Sequence, residues 1–120
     1  MSSNALSYDY FIFKELVYEY APSVMSGTEA RIKRKLKYHK LGPYNQSRVD
    51  YIRSLKETLA SEIRLERASK YFKKTASRFA VIDDFDVASM TKDYSVLYQD
   101  LAVEDLIDMI GWGIHMLYTR

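Results

Sequence analysis

Cations dominate the chemistry that the side chains of this chain can offer. In the stretch RIKRKLKYHK, residues 31 to 40, six positions are basic: Arg31, Lys33, Arg34, Lys35, Lys37 and Lys40. Tyr44, Arg48, Arg53 and Lys56 follow closely. Lys and Arg at this density attract polyanions, because each phosphate they neutralise releases condensed counterions. These ten residues are the candidate nucleic-acid contacts. Tyr38, Tyr44, Tyr51 and Tyr71 are interleaved with the cations, and an aromatic ring next to a cation can stack on an unpaired base.

The charge is segregated along the chain. Residues 31 to 78 hold fifteen basic residues against four acidic ones, a net +11, whereas residues 79 to 119 hold one against eight, a net −7. Isolated surface ion pairs contribute about 0 to 1 kcal/mol, so stability alone gives little reason for such a layout. Two uses remain: a basic face for nucleic acid, or a basic middle that docks the acidic third of a neighbouring subunit.

His39 follows Arg34 in the segment RKLKYH, an R-x4-H spacing. The spacing is similar to that of the HEPN ribonucleases, small α-helical proteins that cleave RNA at a dimer interface. The resemblance rests on these six residues and implies His39 as the base and Arg34 as the group steadying the scissile phosphate. Lys35 stands where that family often carries a polar residue. A second local resemblance, KYHKLGPYNQSRVDYI over about 16 residues, is to the first turn of a helix-turn-helix, with no Gly or Pro from 46 to 110 to make the next turn.

Other chemistries lack their residues. Cysteine is absent, which removes disulfides, thiolate metal sites and thiol nucleophiles. His39 and His115 are too far apart in sequence for a histidine metal motif, and Asp83, Asp84 and Asp86 lack the Gly and distal Glu of a calcium loop. There is no Gly-rich phosphate loop and no dinucleotide fingerprint. The expectation is therefore no metal, no cofactor, no small-molecule substrate and no catalysis. The N-terminal MSSNALSYDYFIFKE has no basic start and does not read as a secretory leader, and the longest apolar run, LIDMIGWGIHMLY, is too short for a bilayer. A cytoplasmic protein without membrane contact is expected. Only two Asn and two Gln beside abundant charge suggest a hot environment.

Helices must position these residues. With 120 residues and 48% apolar content the chain suits one domain, 1–120. Ser7 caps a first helix through about Tyr20, whose aromatic content also suits a strand. Ser26 with Glu29, or Thr28 directly, caps a second, closed by Gly42 and Pro43; its narrow stripe of Ile32 and Leu36, extended by Tyr38 or Leu41, leaves the cations wet. Asn45 caps a long central helix with Val49, Ile52, Leu55, Leu59 and Ile63 at spacings of three and four. A helix reaching Phe79 would be about 45 Å long, so it either breaks near Ala68 or projects to pair with another subunit. Beyond the acidic turn VIDDFD, the stripe Leu97, Leu101, Leu106, Ile110, Ile114 and Leu117 extends with a break near Ala102, and Gly111 and Gly113 admit a close neighbour or relax the helix beside Trp112. The fold class is all-α, a compact bundle of four to five helices.

The functional expectation is a non-enzymatic nucleic-acid-binding protein, DNA or RNA, that holds phosphates through a basic helical surface over residues 31–78 and forms a homodimer. The alternative is an assembly module, a subunit of an oligomer, virion or other complex, built on basic-to-acidic docking.

Overall fold

The computed structural model describes residues 7–18, 27–73 and 82–118, which form an all-α bundle with five helices among them. They are α1 (Tyr8–Leu16), α2 (Thr28–His39), α3 (Gln46–Arg64), α4 (Val87–Leu97) and α5 (Val103–Tyr118). Helix α5 packs against α1, α3 and α4, and α1 also touches α2 and α3.

Ser7 caps α1 as its sequence implies, its Oγ accepting the Tyr10 N–H at 3.0 Å. The helix stops at Leu16 rather than near Tyr20. Phe11, Ile12, Phe13 and Leu16 are all buried, consecutive positions included, because α1 has helices on three sides. That is why its pattern suits a strand almost as well as a helix: a helix surrounded by neighbours shows no single stripe.

Helix α2 begins differently from the sequence reading. Gly27 is the N-cap without a side-chain bond, and Thr28 is the first helical residue, fully buried against the core instead of capping; Ser26 lies outside the described residues. The helix also closes two residues early. Lys40 takes the left-handed conformation at φ 56°, while its N–H reaches the Lys37 carbonyl at 3.2 Å and the Leu41 N–H the Leu36 carbonyl at 3.0 Å. These are the two hydrogen bonds of a Schellman motif, with lysine in the position glycine usually fills. Gly42, at φ 133°, then turns the chain toward α3.

Asn45 caps α3, its Oδ1 accepting the Arg48 N–H at 3.0 Å. The long run breaks instead of projecting: α3 ends at Arg64, Glu66 turns left-handed at φ 48°, and a short 3-10 turn covers Glu66–Ala68. Ser69 holds the turn, donating its hydroxyl proton to Glu62 and accepting the Tyr71 N–H. Phe72 then bridges Phe85, with the Asp86 N–H on the Tyr71 carbonyl at 2.8 Å. Ala76 and Phe79, read from the sequence as continuing the stripe, lie outside the described residues.

The expected break near Ala102 separates α4 from α5, but Leu97 does not join the stripe; it is 64% exposed. Met90, Thr91 and Tyr94 face inward instead, and the Tyr98 hydroxyl lies 2.9 Å from Thr58 Oγ1 and 3.1 Å from Ser54 Oγ on α3. The two glycines of GWG have different roles. A Cβ at Gly113 would collide with Leu59 and lie 3.3 Å from Phe13, whereas Gly111 has nothing within 4 Å. Gly113 thus lets α5 approach α3 and α1, where Leu59 and Phe13 are fully buried, each burial stabilising by about 1.5–3 kcal/mol. Among the described residues no helix is long and apolar enough to cross a membrane.

Candidate nucleic-acid interface

Helix α2 turns Thr28, Ile32 and Leu36 toward the core. At 100° per residue, Arg34 and Lys37 stand opposite that stripe, with Lys33 and Lys40 on one shoulder and Arg31 and Tyr38 on the other. Lys33, Arg34, Lys37, Tyr38 and Lys40 are all exposed. No hydrogen bond or ion pair engages the side chains of Lys33, Arg34, Lys37 or Lys40 among the described residues; the Lys33 ammonium lies over the Tyr44 ring, 5.0 Å from its centre.

The other cations nominated by the sequence are held by carboxylates. Buried Glu15 takes Arg31 on one oxygen at 2.8 Å and Lys35 on the other at 3.3 Å. Arg48 grips Asp9 with two bonds, at 2.9 and 2.7 Å, and donates a third to the Asp100 carbonyl at 2.8 Å. That hydrogen-bonded pairing raises the already high pKa of the Arg48 guanidinium. Arg53 reaches Glu29 at 3.2 Å and Asp50 at 3.4 Å. Lys56 is only 5% exposed and pairs with Glu57 at 2.7 Å. Arg31, Lys35, Arg48 and Arg53 thus tie α1, α2 and α3 together, a use that the cation count alone does not reveal.

Tyr44 is half-buried beneath Lys33 and donates its hydroxyl proton to Gln46 at 2.7 Å; burial, followed by the nearby Glu29 charge, raises its pKa. Tyr51 is covered by Arg48 at 5.3 Å and meets Tyr98 edge to face. Tyr71 is buried, its hydroxyl on Asp93. Tyr38 differs from these three: it is 80% exposed, so it does not extend the apolar stripe of α2, and Leu41 packs against the core instead.

Two of the expected convergences do not form within the chain. Arg34 and His39 project about 140° apart around α2, and His39 turns back to pack against Phe11, so the R-x4-H pair does not face one point. Among the described residues the basic surface expected over 31–78 is also divided. Arg64 is exposed at the far end of α3, about 24 Å along its axis from Arg48, and Arg67 and Lys70 are exposed in the chain that follows. Among the described residues no three His, Asp or Glu side chains converge where a metal ion could sit. The open basic surface near α2 is therefore Lys33, Arg34, Lys37 and Lys40, with Tyr38 beside it.

No protein-family model matches the chain, and comparison with curated proteins and with solved structures yields no significant similarity.

Proposed function

We propose that the chain is a non-enzymatic nucleic-acid-binding protein that holds phosphates on the outer face of α2. The observation carrying this reading is that Lys33, Arg34, Lys37 and Lys40 stand exposed and form no ion pair among the described residues, on a protein that pairs five neighbouring cations internally. Four like charges within two helical turns repel one another, so an incoming polyanion relieves that repulsion as well as releasing counterions. The test is anisotropy of a labelled 20-nucleotide oligonucleotide at 50 mM salt. Wild type binds; the triple variant Lys33→Glu, Arg34→Glu, Lys37→Glu does not.

One observation favours a second reading, an assembly module. The α4–α5 pair exposes Val96, Leu97, Val103 and Ile107 at 65, 64, 50 and 45%. Asp100, Glu104 and Asp108 are exposed beside them in sequence, opposite in sign to the α2 ridge. A second copy presenting this acidic, apolar surface to α2 would bury both. Sedimentation separates the readings: an oligomer dissolved by the same triple substitution, together with no oligonucleotide binding by wild type at low salt, supports assembly and removes the nucleic-acid reading.

A further inference from the structure

Resting on the nucleic-acid reading of α2, we infer that the strand it takes is unpaired and that Tyr38 is the platform for one of its bases. Of the four tyrosines that could stack, Tyr44 and Tyr51 each have a cation over the ring and Tyr71 is buried. Tyr38 is 80% exposed and is held in place rather than dangling. It meets the His39 ring at 5.0 Å and 85°, and His39 in turn meets the buried Phe11 ring at 5.9 Å. A ring braced through a second ring to the core loses little freedom when a base settles on it, and at least one of its faces stays open.

Its neighbours complete a nucleotide-sized site. Arg34 lies one turn before Tyr38, about 5–6 Å away between Cβ atoms, and Lys37 is adjacent in sequence. A base on the ring therefore leaves its phosphate within reach of the guanidinium. A duplex keeps its base faces stacked inside, so it can use the cations but gains nothing from the ring.

The test compares three labelled probes at 50 mM salt: a 12-nucleotide oligo(dT), an abasic strand with the same backbone, and a 12-base-pair duplex. Wild type should favour oligo(dT) over the abasic strand. Tyr38→Ala should weaken oligo(dT) binding about 5- to 150-fold, the range of one lost base stack, and leave the other two probes within about twofold. Tyr38→Phe should keep the wild-type preference. With a side chain this exposed, circular dichroism should find both variants folded. Equal losses on all three probes, or no loss on oligo(dT), overturn the stacking role while leaving the phosphate ridge intact. Binding of none of the probes by wild type overturns both.

Discussion

The salt dependence of binding measures how many cations are available. For a single strand, log K falls against log salt with a slope of about −0.7 per phosphate neutralised. Lys33, Arg34, Lys37 and Lys40 give a slope near −2.8, and affinity should fall about 50-fold between 50 and 200 mM salt. If all nine nominated cations took part, the slope would be about −6.3 and the loss roughly 6000-fold. The two cases are far enough apart for anisotropy titrations at five salt concentrations to separate them. Arg34→Gln with Lys37→Gln should make the slope shallower by about 1.4. Arg48→Gln is the control: it removes the grip on Asp9 and Asp100, lowers stability by about 1–3 kcal/mol, and leaves the slope unchanged. A wild-type slope steeper than about −5 would refute the reasoning, because the ion pairs on Glu15, Asp9, Glu29 and Glu57 would then be opening to serve phosphates. A slope near zero would refute it from the other side.

Lys40→Gly should raise stability by about 0.5–1 kcal/mol, since glycine takes the left-handed position without strain, yet make the salt slope shallower by about 0.7; thermal melting and titration check the two effects. Gly111→Ala should stabilise by about 1 kcal/mol because its Cβ meets open space, while Gly113→Ala should lose that gain to overpacking against Leu59 and Phe13, both read as shifts in the urea midpoint. Burial, aided by hydrogen bonds to Asp93 and Asp84, pushes the Tyr71 and Tyr118 hydroxyls up to about 12. With folded values above the ordinary 10.0, their contribution to stability is present below pH 10 and lost as pH rises toward 12. Urea midpoints across that interval should therefore fall less in Tyr71→Phe with Tyr118→Phe than in wild type.

What the sequence disclosed about the fold was local. Ser7 and Asn45 are legible as caps because a cap acts on an N–H three residues away, and the face from Val49 to Ile63 is legible because its period is that of the helix. The end of α3 was legible only as a limit on length, which left a break near Ala68 or a projecting helix: Arg64 through Ala68 contains neither Gly nor Pro, and the chain turns where Ser69 finds Glu62 and Phe72 finds Phe85. Leu97 misled: it keeps the hydrophobic spacing, but α4 rotates Tyr94 inward and places Tyr98 over Ser54 and Thr58.

The candidate site divides along the same line. A cation's identity is in the sequence, but its availability depends on a counterion that here comes from far along the chain: Asp9 lies 39 residues from Arg48, and Glu15 lies 16 from Arg31 and 20 from Lys35. A window of charge therefore counts Arg31 and Arg34 alike, although one is bonded across to α1 and the other is open to solvent. What distinguishes them is rotation about α2. Once Ile32 and Leu36 are buried, Arg31 falls toward Glu15, while Arg34 and Lys37 must face water. The same rotation leaves Tyr38 exposed beside Arg34, so the two residues on which an unpaired strand would depend follow from the hydrophobic stripe and not from the density of charge.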